Sequence, residues 1–356
     1  MSDPRRTDVA IIGDGVIGLS TALELAHAGA QVCLIGVREA GAASSAAAGL
    51  LAPAFGHLEP EVRPFFEASL DLYPSFIDSL RQFDASLTML RGLIEVVGES
   101  GPRPDGSSSL PLSTEDLARL EPSLSAPMGG LLHTRDGAID NVRLVQALRR
   151  AVASQQSIRQ VTGNPAKGVA TSAQVARLTL ADDAKIEAGH IVIAAGAWSP
   201  RIRGLPRSLP VSPLKGQMLA LGAMSLRHPV MADDVYLVPR ESEIAVGATT
   251  EHAGFDTVTT PEAIAALRAA AVRVCPALAT APVLREWAGI RPATPDMLPI
   301  IGRDFDFPWL LYACGHSKNG ILLAPATARA IVALAQEKRP EWNLAPFSIS
   351  RFSAGE

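Results

Sequence analysis

The chain has 356 residues, of which 47% are hydrophobic and 19% are charged, and its formal net charge is −4. This is the composition of a globular protein large enough for two domains, and it lacks the basic excess that indicates nucleic-acid binding. The three cysteines, Cys33, Cys275 and Cys314, have neither disulfide-framework nor metal-ligand spacing, so the sequence predicts no metal site and a reducing compartment.

The beginning of the chain predicts a nucleotide-binding unit of strand, helix and strand. The apolar run at residues 9–12 is typical of a strand buried on both faces, residues 16–29 have helical spacing, and residues 31–35 form a second strand. The first strand and the helix are joined by a G-x-G-x-x-G pattern made by Gly13, Gly15 and Gly18. Such glycines allow a tight turn, a close approach to a pyrophosphate and close helix–strand packing. The helix N-terminus then offers N–H groups to the phosphates.

The acid that usually ends the second strand of such a unit is absent. That acid accepts hydrogen bonds from a ribose, and here the strand is followed by Gly36 and Val37. Glu39 lies further along the chain than the acid should, and Arg38 is a candidate partner for a 2′-phosphate. The first forty residues therefore leave NAD, NADP and FAD open as the cofactor.

A tract of small residues follows at 41–53. It is either a flexible loop or a backbone that presses against a flat cofactor ring, and its place beside a nucleotide motif favours the ring. Residues 61–93 have apolar spacings that fit outer helices. We expect His133 to be a half-exposed strand residue and Asp140 to cap a helix over residues 142–154.

The second half of the chain alternates between strand patterns of the nucleotide-binding type and patterns of antiparallel strands. Residues 190–199 predict a buried strand that ends in small residues, which suits a second contact with the cofactor at the sheet's carboxyl edge. Residues 217–246 predict antiparallel strands, and Thr260 caps a helix that ends near residue 274. Residues 309–320 return to a strand and a glycine-bounded turn before a helix, so a second helix N-terminus points at the same crevice.

Taken in order, these motifs resemble the FAD-dependent amino-acid oxidases of the D-amino-acid oxidase superfamily, with the closest likeness to the glycine oxidases of thiazole (thiamine) biosynthesis. The resemblance covers nearly the whole chain. It rests on the motifs at residues 12–18, 45–49, 192–199, 236–240, 246–249, 287–292 and 315–327.

The resemblance implies an α/β fold in which an FAD-binding Rossmann-like domain is interleaved with an α+β substrate domain built on an antiparallel sheet. The FAD-binding domain would comprise residues 1–90, 140–208 and 288–356. The substrate-binding domain would comprise residues 91–139 and 209–287. FAD would lie extended in the first domain, bound non-covalently, with its flavin ring facing the second.

The resemblance also implies the site residues. Arg291 matches the arginine that holds the substrate carboxylate, Tyr236 matches the tyrosine that assists it, and Lys318 is the third catalytic candidate. Contacts with FAD are implied for Gly13, Gly15, Val16, Ile17, Gly18, Gly36, Val37, Ala43, Ser44, Ala48, Gly49, Leu50, Ala166, Gly196, His316, Ser317, Lys318, Asn319, Gly320, Ile321 and Leu322.

Three positions depart from the family's pattern. Gly36 replaces the ribose-binding acid, Asp234 replaces a histidine two residues before the tyrosine, and Lys318 replaces an arginine that glycine oxidases commonly have. If position 36 simply lacks its acid, Gly36→Glu is expected to tighten FAD binding or leave it unchanged.

The implied activity is oxidative deamination of glycine or a similar small amino acid. Hydride passes from Cα to flavin N5, and oxygen is the acceptor. The products are the imine or glyoxylate, ammonia and hydrogen peroxide, in service of thiamine biosynthesis. Two other functions stay open: a dehydrogenase for D-amino or N-methyl amino acids, and a non-catalytic nucleotide-binding module, which only the missing ribose acid supports.

The sequence also bears on location. No apolar run approaches the length needed to span a bilayer, and the first nine residues lack the apolar core of a signal peptide. We therefore expect a cytoplasmic protein without a membrane partner. A homo-oligomer is compatible with the sequence, which does not specify the oligomeric state.

Overall fold

The computed structural model describes residues 6–53, 58–97, 109–125, 127–171, 176–222, 226–233 and 235–352. Within these ranges the strands are β1 (Arg6–Ile12), β2 (Val32–Gly36), β3 (Leu50–Leu51), β4 (Met89–Val96), β5 (Ser109–Leu112), β6 (Gly130–Ile139), β7 (Ile158–Thr162), β8 (Ala166–Thr171), β9 (Ala176–Leu180), β10 (Lys185–Ile193), β11 (Ser212–Gly222), β12 (Val230–Met231), β13 (Tyr236–Pro239), β14 (Glu243–Gly247), β15 (Val283–Ala293), β16 (Ile300–Arg303) and β17 (Leu310–Cys314).

The α-helices in the same ranges are α1 (Val16–His27), α2 (Ala43–Ala46), α3 (Arg63–Asp71), α4 (Tyr73–Leu80), α5 (Thr114–Leu120), α6 (Asn141–Ser154), α7 (Pro261–Val274) and α8 (Gly320–Ala335). Short 3₁₀ helices occur at Gly196–Arg201, Pro276–Thr280, Ala345–Phe347 and Ile349–Phe352. None of the helices in the described part of the chain has both the length and the apolar character that crossing a membrane requires.

The first sheet contains the nucleotide-type strands. Its order is β16–β17–β10–β1–β2–β7, and its strands are parallel except for β16 at one edge and the β8–β9 pair attached to β10. The strand β1 is central and buried on both faces: Val9 and Ile11 belong to one hydrophobic cluster, whereas Ala10 and Ile12 belong to the cluster on the opposite face. The predicted strand–helix–strand unit is confirmed.

Helices α1 and α8 pack side by side, and each follows the carboxyl end of a central strand. Pro325 lies inside α8 and has no N–H to donate to the Ile321 carbonyl. The buried Tyr73 hydroxyl of α4 donates to that carbonyl instead. Next to it, Ser69 of α3 donates to the Leu322 carbonyl over 2.7 Å. The helices α3 and α4 therefore stabilise the first turns of α8.

The second sheet has the order β15–β11–β14–β13–β12–β4–β6–β3, with β5 paired to β6. It is antiparallel except where β12 pairs with β4. Helix α7 packs on β11 and β14, and its predicted cap is confirmed because Thr260 Oγ1 accepts from the Ala263 N–H. The predicted fold class, a Rossmann-like unit with an antiparallel second sheet, is confirmed.

The domain boundaries stay a prediction. The strand β15 runs across the predicted boundary between residues 287 and 288, and β3, at Leu50–Leu51, pairs in the second sheet.

Helix α6 begins at Asn141, and Asp140 caps it as predicted by accepting from the N–H groups of Val142 and Arg143.

Two local predictions are wrong. Residues 89–93, assigned to a helical segment, lie in the strand β4. His133 is buried rather than half-exposed, since its Nε2 lies 2.9 Å from Glu95 Oε2 and its Nδ1 lies 2.9 Å from Ser109 Oγ. Its two partners lie on β4 and β5, the strands on either side of β6, so His133 has a structural place within the sheet.

Candidate active site

A cavity of about 820 Å³ lies between the two sheets. Its walls include the carboxyl ends of β1, β10 and β17, the tract of small residues at 41–53, and residues of β11, β13 and β15. A cavity of this volume at the carboxyl edge of a parallel sheet has the size and position of a cofactor site.

Most of the residues predicted to bind the cofactor or the substrate line this cavity. They are Gly13, Gly15, Val16, Ile17, Val37, Ala43, Ser44, Ala48, Gly49, Leu50, Ala166, Gly196, Tyr236, Arg291, His316, Ser317, Lys318, Asn319, Gly320 and Ile321. Gly18, Gly36 and Leu322 do not line it. A side chain at Gly18 would overlap the Gly13 carbonyl, and Leu322 is buried in the core under α8. Asp234 lies outside the described residues.

The turn after β1 requires glycine. Gly13 has φ of 120°, and a side chain there would overlap the carbonyl of Ala194 at the end of β10. Helix α1 then begins at Val16 directly on the cavity, and its first turn contains no acidic residue. Its N-terminal N–H groups and positive dipole end are therefore suited to an anionic group in the cavity.

The tract of small residues is held by side chains from the second sheet. The Arg240 guanidinium donates to the carbonyls of Ala47 and Ala48 over 3.2 and 3.4 Å, and Trp287 Nε1 donates to the Ala46 carbonyl over 2.9 Å. These hydrogen bonds favour a fixed wall over a flexible loop. Arg240 and Trp287 were not among the predicted site residues, although both lie inside motifs that the sequence singled out.

The turn before α8 forms another part of the cavity wall. The Ser317 N–H donates to the Pro292 carbonyl over 2.9 Å, which joins this turn to β15. His316 is buried and its Nε2 lies 3.1 Å from Thr327 Oγ1 of α8. Burial lowers the pKa of His316 to about 3, so the imidazole is neutral near pH 7. His316 therefore faces the helix as a neutral group and is unsuited to act as a base.

Arg291 of β15 and Tyr236 of β13 meet at the cavity. The Arg291 guanidinium contacts the Tyr236 side chain, and Arg291 Nη1 donates to the Thr249 carbonyl over 3.0 Å. Burial raises the pKa of Tyr236, while the charge of Arg291 and its hydrogen bond partly oppose that rise. The phenol is therefore protonated near pH 7, and among the described residues its hydroxyl donates only to the weak acceptor Met218 Sδ, over 3.8 Å.

Two glycines of the second sheet make room for this pair. A Cβ at Gly216 would lie 2.5 Å from Arg291 Nη2, and a Cβ at Gly247 would lie 2.5 Å from Tyr236 Cζ. Each side chain therefore lies against the bare backbone of a neighbouring strand. Glycine inside a strand is a known signal of such close approach, and here it marks both residues predicted to bind the carboxylate.

The profile of the FAD dependent oxidoreductase family, DAO, matches residues 8–334 of the chain. The chain belongs to this family. It is therefore an FAD-dependent oxidoreductase, and the predicted resemblance to the amino-acid oxidases of this superfamily is confirmed.

Individual relatives of this oxidoreductase cover most of the chain. It is 33% identical over 368 residues to the glycine oxidase of Pseudomonas putida, covering 96% of this chain and 97% of that protein. It is 34% identical over 362 residues to the bifunctional protein ThiO/ThiG of Synechocystis sp., covering 97% of this chain and 54% of that protein. The chain thus spans about half the length of the bifunctional relatives that it matches.

A solved structure shows the same fold. The crystal structure of glycine oxidase from Geobacillus kaustophilus matches this oxidoreductase with a TM-score of 0.88 at 29% identity. The match covers 98% of this chain and 99% of that one.

The cavity of this oxidoreductase fits FAD. Two helices begin on it, at Val16 and Gly320, and neither has an acidic residue in its first turn. A side chain added at Gly196 would meet no atom within 4 Å, so its absence leaves open space at the end of β10. Among the described residues no group of three or more His, Cys, Asp or Glu has an arrangement that would hold a metal ion.

Lys318 places a further positive charge at the cavity, near Arg291. It is exposed in the open cavity, although the protein around it removes part of its hydration. This desolvation, and secondly the charge of Arg291, lowers the pKa of Lys318 below the usual 10.5. Arg291 and Lys318 are therefore close enough to repel each other. An anionic substrate bound at the cavity would reduce this repulsion.

We predict that Gly216→Ala weakens substrate binding without unfolding the protein. The added methyl group would displace the Arg291 guanidinium, the flexible end of a side chain, rather than any backbone atom. Steady-state kinetics should show a KM raised about tenfold or more with a normal flavin spectrum. Gly222→Ala, in the same strand but outside the cavity, where an added Cβ would lie 3.0 Å from the Pro282 ring, is the control for a glycine-to-alanine change in β11. An unchanged KM in Gly216→Ala would show that the guanidinium position does not matter.

Proposed function

We propose that this protein is a flavoprotein oxidase that deaminates glycine or a similar small amino acid, with oxygen as the acceptor. The products would be the imine or its hydrolysis product glyoxylate, ammonia and hydrogen peroxide. The observation that supports this most directly is the pair Arg291 and Tyr236, which faces the same cavity as the N-termini of α1 and α8. FAD, when bound, supplies the redox chemistry by accepting a hydride from the substrate Cα.

The described residues suggest how FAD is held. The N-terminus of α1, at Gly15, Val16 and Ile17, would bind the pyrophosphate, and Val37 and Ala166 would contact the adenosine end. The flavin would lie between the small-residue tract and the turn before α8, with the positive dipole end of α8 at its pyrimidine side. The lining residues proposed for the flavin are Ala43, Ser44, Ala48, Gly49, Leu50, Gly196, His316, Ser317, Lys318, Asn319, Gly320 and Ile321.

We also propose that the flavin is not covalently attached. Cys314 lines the cavity, but burial raises the pKa of its thiol to about 12, so it is not a thiolate nucleophile near pH 7. The side chain of His316 is turned to Thr327 inside the protein. Although both residues line the cavity, neither side chain is suited to attack the flavin.

Substrate binding follows from the chemistry of the two facing side chains. A guanidinium offers a planar fork that makes two parallel, charge-assisted hydrogen bonds with a carboxylate. The Thr249 carbonyl accepts from Arg291 Nη1 and so helps to fix the guanidinium, and the protonated Tyr236 adds a further donor. Because His316 is unsuited to act as a base, we propose that the amine binds in its neutral form and that no side chain removes its proton.

A link to thiamine biosynthesis is part of the proposal. It is supported by the resemblance to the glycine oxidases of that pathway and by the match to the bifunctional protein ThiO/ThiG of Synechocystis sp.. We further propose a cytoplasmic location, which agrees with the free, buried state of Cys33, Cys275 and Cys314.

The function is tested with purified protein and a panel of glycine, sarcosine and D-alanine. We expect a yellow protein that produces peroxide in step with oxygen consumption, and heat or acid should release all of its flavin into the supernatant. Flavin reduction without peroxide would instead identify a dehydrogenase that uses another acceptor. A colourless protein that stays apo after FAD is added would refute the oxidase and favour a non-catalytic module.

We predict that Arg291→Ala lowers kcat/KM by at least a hundredfold, since removing one partner of a desolvated charge pair costs about 3–5 kcal/mol. Arg291→Lys should recover part of the loss because it restores the charge without the fork. Arg201 also lines the cavity, but its guanidinium stacks on Phe255 at 3.9 Å from the ring centroid. Arg201→Ala is therefore the matched control, and wild-type kinetics in Arg291→Ala would refute the assignment.

We predict that Lys318→Met, which removes the charge and keeps much of the length, affects one half-reaction selectively. If Lys318 contacts the carboxylate, stopped-flow traces should show weaker substrate binding and normal reoxidation. If its charge assists oxygen reduction, flavin reduction stays normal and reoxidation slows. Lys318→Arg, the residue common in glycine oxidases, is the charge-preserving control. Two unchanged half-reactions in Lys318→Met would leave Lys318 without a role in catalysis.

A further inference from the structure

We propose that Asp14, inside the glycine-rich turn, supplies the ribose-binding carboxylate that is missing at position 36. The space that a side chain at Gly36 would occupy is already filled. A Cβ added there would lie 2.5 Å from Asp14 Cγ, 2.7 Å from its Cβ and 2.8 Å from its Oδ2. The acid has therefore moved from the end of β2 to the turn after β1.

Strand register explains why these two positions share one place. β1 and β2 are parallel with Ile12 opposite Ile35, and the Gly13 N–H donates to the Ile35 carbonyl over 2.8 Å. The next residue of the turn, Asp14, then lies beside Gly36, the last residue of β2. A carboxylate carried by either residue reaches the same region at the carboxyl end of β2.

This region is where a ribose is bound in nucleotide folds of this type. The 2′- and 3′-hydroxyls of a ribose are two neighbouring donors, and an ionised carboxylate accepts with both oxygens. Asp14 lines the cavity together with Val37 and Ala166, and its side chain is 21% exposed. Arg149 Nη2 is 3.9 Å from Asp14 Oδ2, beyond hydrogen-bond distance, so this ion pair does not occupy the oxygen's acceptor sites.

The expectation for Gly36→Glu consequently changes. A glutamate at position 36 would collide with Asp14, so this single change should weaken FAD binding rather than tighten it. Moving the acid, with Asp14→Gly and Gly36→Glu together, should restore it. A purely structural role for Asp14 in the turn predicts no such rescue.

Glu39 is the rival acid. It also lines the cavity, but it is exposed and lies three residues beyond the end of β2. Glu39→Gln is therefore the matched control. It neutralises another carboxylate of the cavity, one that does not lie beside Gly36.

The experiment measures flavin binding to the apoprotein by quenching of flavin fluorescence. Asp14→Asn, which keeps the shape and removes the charge, should raise the Kd for FAD about 10- to 100-fold, the loss expected for hydrogen bonds to a charged group. Glu39→Gln should leave the Kd within about twofold. Competition with ADP and 2′-deoxy-ADP provides the second readout: the wild type should prefer ADP, and Asp14→Asn should lose that preference.

The inference is overturned if Asp14→Asn binds FAD as tightly as the wild type and keeps the preference for ADP, or if Glu39→Gln produces these effects. It is also overturned if Asp14→Gly with Gly36→Glu binds no better than Asp14→Gly alone. It rests on FAD as the cofactor and not on the proposed substrate. A wild type that binds FAD but oxidises no amino acid would refute the proposed function and leave this inference intact.

Discussion

The site depends on one backbone contact, between the turn after β1 and the end of β10. Gly13 can approach the Ala194 carbonyl because it has no side chain, and this approach directs the chain into α1 at the edge of the sheet. Gly18, in the first turn of α1, likewise lacks a side chain, and its backbone lies against the Gly13 carbonyl. The position of the α1 N-terminus, and with it the place for a pyrophosphate, therefore follows from two contacts that any larger residue would block.

The sequence predicted the parts of the fold that depend on local pattern. β1, α1 and β2 lie where strand and helix periodicity placed them, as do β17 and α7. The errors occur where the deciding contacts are distant in sequence. His133 is buried because its partners Glu95 and Ser109 come from neighbouring strands 38 and 24 residues away. No local pattern contains that information, and an isolated histidine in a strand is usually exposed on one side.

The sequence predicted which backbone segments line the candidate site. It did not predict the side chains that hold those segments in place. Glycine- and alanine-rich segments identified most of the cavity wall, because close contact with a flat ligand excludes bulky side chains. Arg240 and Trp287 hold that wall from 193 and 241 residues away along the chain. Their hydrogen bonds go to backbone carbonyls. Every residue has such a carbonyl, so no sequence pattern marks these acceptors. Such supports become visible only when the two sheets are placed together.

An acid in the glycine-rich turn requires a positive charge nearby, whereas an acid at the end of β2 would not. The charges around the cavity explain this difference. A carboxylate at Asp14 lies one residue before the N-cap Gly15, close to the place proposed for a pyrophosphate, so like charges repel there. Arg149 of α6 lies 3.9 Å from Asp14 Oδ2, and the positive end of the α1 dipole is adjacent. An ion pair between partly exposed side chains at this distance contributes about 1 kcal/mol or less, so it offsets only part of such a repulsion. The proposed acid therefore has a cation of α6 beside it, and Asp14 and Arg149 should be considered together when this variation of the nucleotide motif is sought in other chains.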